Sequence, residues 1–120
     1  MSKQQVLKVA VGVPLSRRFD YLPPADGPPP AAGCRVRVPF GRRRQVGLVM
    51  DVGASSELAP GKLKRAEAVL DETPLLSADD LWLIRFTSDY YHHPVGEVAA
   101  AALPALLRHG KALYPVLEML

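Results

Sequence analysis

The feature that most constrains the fold is a series of short segments, rich in β-branched and aromatic residues, that fills the first 70 residues. In one of them the apolar Val36, Val38 and Phe40 alternate with Arg35 and Arg37, which is the period of a strand with one buried face. Short strands with frequent turns favour a small antiparallel barrel over a parallel sheet. The predicted strands are 6–13, 18–22, 34–40, 45–52 and 64–70.

Beyond residue 70 the apolar spacing becomes that of helices. Ser77 with Asp80 three residues later resembles a capping box, which predicts the start of a helix. Pro94 is expected to end that helix and to open a second one at 95–103. We expect an interruption at Pro104, a last turn at 105–108 and a stop at Gly110. The predicted domains are a barrel at 1–70, a helical appendage packed on it at 71–110, and a linker toward a further domain at 111–120.

Charge is distributed unevenly along the chain. Residues 1–65 hold 12 Lys and Arg against 4 acids, a net charge of +8, whereas residues 66–120 hold 3 against 8, a net charge of −5. The basic half is expected to meet an anion, with nucleic acid as the leading candidate and a solvated basic surface as the alternative. Guanidinium groups fit phosphate oxygens well, so the candidate phosphate contacts are Arg17, Arg18, Arg42, Arg43 and Arg44.

The segment Arg17–Tyr21 combines arginines, aromatics and one acid. Phe19 and Tyr21 would share one strand face, where they either stack on the bases of a single strand or belong to the core. Asp20 either pairs with a neighbouring arginine or accepts a hydrogen bond from a sugar hydroxyl. Only the end of a DNA strand carries a free 3′-hydroxyl, so such a carboxylate would favour a 3′-OH terminus and repel a 3′-phosphate.

Glycine at position 41 follows Phe40 at the end of an alternating strand. Because glycine lets another molecule approach the backbone closely, Gly41 could lie against a base edge, and the alternative is a plain hairpin turn over 41–44. Trp82, Phe86 and Tyr90 form an aromatic stripe at helical spacing. We expect this stripe to be the seam between helix and barrel; if it is exposed, the acidic half over 71–97 could instead dock a basic partner.

Catalytic motifs are absent from the sequence: it has no phosphate-binding loop, no GxSxG and no HExxH. His92 and His93 are adjacent and would point apart on a helix, which argues against a metal site. Cys34, the single cysteine, is expected to be a small buried hydrophobe. With no long apolar run and no secretion signal, we predict a cytoplasmic, non-enzymatic chain without a metal or cofactor of its own.

Four stretches of the sequence resemble, in order, the N-terminal 3′-DNA-binding domain of the PriA family of bacterial replication-restart helicases (primosomal protein N-prime). They are VGVPLSRRFDYLPP at 11–24, GCRVRVPFGRRRQVGLVMDV at 33–52, LKRAEAVLDETPLL at 63–76 and, from 89 to 110, DYYHHPVGEV with the later ALP, LLR and G.

The resemblance implies a mainly β protein with an α appendage (α+β): a small OB-like antiparallel β-barrel followed by two or three short helices. It implies recognition of the free 3′-OH end of the nascent leading strand at stalled forks and D-loops. FDY would contribute Phe19, Asp20 and Tyr21 to a pocket for the terminal nucleotide, the VPFG stretch would add Gly41, and the LK pair would add Lys64.

The parent protein implied by the resemblance is an ATP-dependent 3′–5′ DNA helicase that uses ATP, Mg and structural zinc outside these residues. Its implied partners are DNA, other primosome proteins and single-strand-binding protein. Two alternatives stay open for this chain: a general single-stranded DNA- or RNA-binding barrel with no preference for ends, and a protein-docking module.

Overall fold

The computed structural model describes residues 5–12, 19–54, 56, 58 and 60–109. These residues form six strands and then two helices, with a 3₁₀ turn at Pro60–Lys62 between β4 and β5. The strands are β1 (Val6–Val11), β2 (Phe19–Leu22), β3 (Arg35–Phe40), β4 (Arg43–Gly53), β5 (Lys64–Arg65) and β6 (Ala68–Val69). The helices are α1 (Ala78–Tyr91) and α2 (Val95–His109).

The six strands form one curled sheet in the order β5-β2-β1-β4-β3-β6. All neighbours are antiparallel except β2 and β5, which run parallel. The two short strands that follow each other in sequence, β5 and β6, therefore lie at opposite edges. The Ala66 amide donates to the Leu22 carbonyl of β2, and the next amide, Glu67, donates to the Arg37 carbonyl of β3, both at 2.8 Å. This crossing curls the sheet into a half-barrel and confirms the OB-like α+β fold class.

The predicted fifth strand over 64–70 is therefore wrong as a single element. Residues 64–65 pair with β2 and residues 68–69 pair with β3, because the segment crosses from one edge of the sheet to the other. The parallel β2–β5 pair also makes the sheet mixed and not purely antiparallel.

Strand β1 and the middle of β4, over 47–50, are buried on both faces, which explains the nearly continuous apolar sequence of these two stretches. On the inner face Leu7, Val9 and Val49 join a core with side chains of β2 and β3. On the outer face Ala10 and Met50 pack, with Leu48, against a second core that both helices supply. The sheet is therefore the middle layer between its own curled interior and the two helices.

The capping box predicted at the start of α1 is confirmed. The Asp80 amide donates to Ser77 Oγ at 3.2 Å, and the Ser77 amide donates to Asp80 Oδ2 at 3.0 Å. At the other end His92 adopts the left-handed conformation with φ 55°, which ends the helix. None of the described helices is long and apolar enough to cross a membrane.

The expected interruption at Pro104 is wrong, because α2 continues through it to His109. A proline within a helix leaves the carbonyl four residues earlier without its amide donor. Here that residue is Ala100, and both Ala100 and Pro104 are exposed, so water can reach the released carbonyl. The predicted stop at Gly110 and the linker at 111–120 lie outside the described residues.

The expectation that the aromatic stripe is the seam between helix and barrel is also wrong. Trp82 is 60% exposed, Phe86 44% and Tyr90 65%. The rings stack along the helix, with centroids 5.2 Å apart for Trp82 and Phe86 and 5.6 Å apart for Phe86 and Tyr90. The buried face of α1 carries Leu81 and Ile84 instead, and both join the core that α2 and the outer face of the sheet share.

Candidate nucleic-acid interface

Strand β2 carries three of the predicted pocket residues and directs them to two different faces. Phe19 and Tyr21 share the inner face, as their alternation predicted; Tyr21 belongs to the inner core and Phe19 packs against it. Asp20 lies between them and points to the opposite face, where it is directly opposite Lys8 of β1. The three neighbours therefore do not form one continuous surface.

The Asp20 carboxylate is held by two hydrogen bonds on the outer face. Lys8 Nζ donates to Asp20 Oδ2 at 3.0 Å, and Ser56 Oγ donates to the same oxygen. The side chain of Asp20 is 15% exposed and that of Lys8 24%. Asp20 is thus neither in the barrel interior nor fully solvated, and its charge is offset by one lysine.

The sequence prediction did not include Lys8 or Ser56 among the site residues. One available signal was that Lys8 is the only charged residue in the apolar run VLKVAV of β1. Its position beside Asp20 depends on the register of β1 against β2, and Ser56 approaches from the loop after β4. The expected partners Arg17 and Arg18 lie outside the described residues.

Tyr21 is 5% exposed, so the expectation that its ring stacks on a base does not agree with this packing. Its ring fills the inner core, and its hydroxyl donates to the Pro39 carbonyl at 2.7 Å. Burial raises the pKa of the Tyr21 hydroxyl, which stays protonated and available as a donor. Tyr21 therefore connects β2 to the end of β3, two residues before Gly41.

Phe19 and Phe40 meet edge to face at the end of the inner core, with ring centroids 5.0 Å apart and planes at 88°. Both rings are only half-buried, unlike Tyr21. Of the two aromatics predicted in β2, Phe19 is thus the one with ring surface left for a ligand.

Gly41 begins a two-residue hairpin turn between β3 and β4, in which Phe40 pairs with Arg43. Its φ of 62° lies in the left-handed region, and Gly at the first central position is typical of a type II′ turn. A Cβ placed on Gly41 would meet nothing within 4 Å, so the space beside its backbone is open. Gly41 therefore forms a hairpin turn with an accessible backbone, and its contact with a base edge stays a prediction.

Lys64 lies at the edge of the sheet, where its backbone pairs with Tyr21, and its side chain is exposed. Strand β5 covers only Tyr21 and Leu22 of β2. Among the described residues, no strand pairs with the outer edge of β2 at Phe19 and Asp20. A ligand that approaches this edge can therefore contact Asp20 on one face of β2 and Phe19 on the other.

The three arginines of the hairpin differ in their surroundings. Arg42 occupies the second position of the turn, while Arg43 and Arg44 already belong to β4. Arg44 Nε lies 3.0 Å from Glu67 Oε1, an exposed ion pair of the kind that contributes little to stability. Arg42 and Arg43 are exposed, and no ion pair with another described residue engages them. They are the better placed of the three for phosphate contacts.

Other features of the described chain lie away from this edge. A groove of 990 Å³ runs between the proline-rich loop over 24–31 and the segment over 65–72, and none of the predicted pocket residues lines it. Cys34 reaches this groove from the core, is 2% exposed, and has a pKa raised by burial, as expected of a small hydrophobe.

In the part of the chain that the structure describes, no three His, Cys, Asp or Glu residues could hold a metal ion together.

Comparison with known proteins shows which family and which proteins the chain is similar to. Residues 8–104 match the sequence model of a family described as the PriA 3′ DNA-binding domain (3′BD). The chain is 36% identical over 108 residues to the replication restart protein PriA of Haemophilus influenzae. It is 33% identical over 117 residues to PriA of Bacillus subtilis and 30% over 102 residues to PriA of Buchnera aphidicola. These alignments cover 85–90% of this chain but only 14–15% of the length of the relatives.

Proposed function

Because the chain belongs to the family of PriA 3′ DNA-binding domains, we propose that it binds the free 3′-OH end of a DNA strand. At a stalled fork or D-loop this end would be that of the nascent leading strand. Its capture would orient the parent helicase, whose ATP, Mg and zinc sites belong to other parts of the protein. The bacterial cytoplasm, at the nucleoid, is the place where such substrates occur.

The observation that carries the proposal is the position of Asp20 at an uncovered strand edge. A carboxylate accepts a hydrogen bond from a free 3′-hydroxyl, which an internal nucleotide does not have. A bare carboxylate would also repel the neighbouring phosphates, but Lys8 at 3.0 Å offsets that charge. The Asp20 carboxylate can therefore accept a terminal hydroxyl with its own charge offset by Lys8.

The surroundings of Asp20 supply the other contacts of a terminal nucleotide. The half-buried ring of Phe19 offers a surface on which the last base can stack, a contact that contributes about 1–3 kcal/mol. Lys64 and the exposed Arg42 and Arg43 offer cations for the phosphates. Tyr21 and Gly41 would shape the site, the first through its hydrogen bond to Pro39 and the second through its accessible backbone.

The exposed aromatic stripe of α1 favours a second role, the docking of other proteins. Three large apolar rings in solvent are more than scattered surface hydrophobics, and such patches mark interaction sites. We therefore also propose that the helical part contacts other members of the restart machinery, among them primosome proteins and single-strand-binding protein.

Replacing Asp20 with Ala tests the end-recognition proposal. Single strands labelled at the 5′ end would carry a 3′-OH, a 3′-H (dideoxy) or a 3′-phosphate, and fluorescence anisotropy would give the affinity for each. The wild type should prefer 3′-OH, and Asp20→Ala should lose the preference while its salt-dependent background binding remains. Asp26→Ala, an exposed acid in the proline-rich loop, is the control and should keep the preference. Equal binding of all three ends by the wild type would instead support a general single-strand-binding barrel.

A further inference from the structure

Among the residues that the structure describes, two donors hold the Asp20 carboxylate, and both hydrogen bonds end on the same oxygen. Lys8 Nζ and Ser56 Oγ each donate to Oδ2, and neither uses Oδ1. The torsion that turns a carboxylate has no sharp preferred values, so a free Asp side chain would present either oxygen. Two donors on one oxygen remove that freedom and leave the other oxygen as the acceptor for a ligand.

The strand register fixes the position of Lys8, so its contact with Asp20 is not an incidental one between two surface side chains. Lys8 pairs across β1 and β2 with Asp20, and across β1 and β4 with Asp51. The register of β1 against β4 shifts directly after Lys8, so that Val9 is opposite Val49 and Met50 is left out of the pairing. A bulge of this kind redirects side chains locally, and here it occurs at the residue that holds Asp20.

Ser56 brings the loop after β4 to the same carboxylate. Its Oγ donates to Asp20 and accepts from the Leu58 amide at 3.1 Å, two residues further along. The second bond is a local serine turn, which fixes the hydroxyl relative to its own backbone. The hydroxyl that reaches Asp20 is therefore itself held in place.

From this arrangement we infer that Lys8 and Ser56 are positioning residues of the 3′-end site. They hold the Asp20 carboxylate with Oδ2 occupied and Oδ1 left for the terminal 3′-hydroxyl. The positive charge of Lys8 also weakens the repulsion between the Asp20 carboxylate and the phosphates of the bound strand. Neither residue needs to touch the DNA. The inference rests on the proposed function and adds to it the residues that give the end preference its strength.

Ser56→Ala separates orientation from charge, because it removes a donor and no charge. We expect the ratio of 3′-OH to 3′-H affinity to fall about three- to tenfold, while the affinity for the 3′-H strand stays the same. Lys8→Met should lower the same ratio and also weaken binding of both strands, since Asp20 is then uncompensated. The conservative variants Ser56→Thr and Lys8→Arg keep the donors and should restore the ratio.

Lys62→Met is the matched control, since Lys62 is an exposed lysine in the 3₁₀ turn. It should weaken binding to all ends equally and leave the ratio unchanged. An unchanged ratio in Ser56→Ala and Lys8→Met, in a protein whose wild type prefers 3′-OH, overturns the inference and leaves the proposed function standing. A wild type without any preference overturns both. A lower ratio of 3′-OH to 3′-H affinity in Ser56→Ala and Lys8→Met supports the positioning role if Ser56→Thr and Lys8→Arg restore the ratio.

Discussion

At the scale of single residues, alternation along β2 separates two kinds of contribution to the proposed site. Asp20 supplies a charge on the outer face, and Tyr21 supplies packing and a hydrogen bond on the inner face. Asp20 and Tyr21 are adjacent residues of one family motif, yet they would act by different physical means. The ring of Tyr21 supports the proposed site from within, and of the two aromatics in β2 Phe19 is the one with ring surface left to meet a base.

Removal of the Tyr21 hydroxyl tests this supporting role. Tyr21→Phe keeps the ring in the core but leaves the Pro39 carbonyl without its donor, so unfolding free energy should fall by about 0.5–1.5 kcal/mol. Urea unfolding followed by circular dichroism measures the change. Tyr90→Phe, on the exposed stripe, is the control and should stay within about 0.5 kcal/mol of the wild type. If the two variants are equally stable, the hydroxyl of Tyr21 contributes nothing to the fold.

At the scale of elements, an ion pair with β3 adds to the backbone hydrogen bonds that hold the segment over 66–71, which crosses the sheet after β5. Asp71 accepts from the Arg35 amide at 2.8 Å and from Arg35 Nε and Nη2 at 3.1 and 2.9 Å. The hydrogen-bonded Arg35 guanidinium lowers the pKa of the Asp71 carboxyl, whose side chain is only 6% exposed. This pair fastens the end of the crossing segment to the start of β3, next to the β3–β6 pairing.

The lowered pKa of Asp71 predicts a pH dependence of stability. A carboxyl with a lowered folded pKa stabilises the fold above its ordinary pKa, and that contribution is lost as pH falls through the folded pKa. Asp71→Asn should cost about 1–2 kcal/mol at neutral pH, since the partly exposed Arg35 is screened by water. The difference from wild type should shrink in acid, as measured by urea unfolding across pH. A difference that is constant with pH would contradict this role.

At the scale of the whole molecule, close backbone contact joins the helical part to the sheet. Gly96, in the first turn of α2, lies directly on the end of β1. A Cβ placed there would stand 1.6 Å from the Val11 carbonyl oxygen, so no other residue fits without displacing the helix. Strand β1 carries both Val11 at this junction and Lys8 beside Asp20, so helix packing and the proposed site share one strand.

Substitution of Gly96 tests how far this junction holds the molecule together. Gly96→Ala should lower the unfolding free energy by about 1–3 kcal/mol, because the added methyl group forces α2 away from β1. Thermal unfolding followed by circular dichroism gives the change. Gly61→Ala, where a Cβ would meet nothing within 4 Å, should unfold close to the wild type. Matching stability of Gly96→Ala and wild type would show that the helix can move without cost.

The sequence by itself determined the properties that depend on near neighbours along the chain. Strand alternation in β3, the capping box at Ser77 and the polarised charge were all readable, because each follows from residue spacing or composition. The motifs around FDY and VPFG likewise indicated the family. The fold class followed from these, with residues 64–70 and Pro104 as the exceptions.

Only the tertiary structure decided which face of each element is covered and which distant residues meet. Periodicity shows that Trp82, Phe86 and Tyr90 share a face, but it does not say that this face points to solvent. The pairing of Lys8 with Asp20 and the division of 64–69 between two sheet edges depend on register and on closure of the sheet. Those are contacts between residues far apart in sequence, so no local pattern of the chain specifies them.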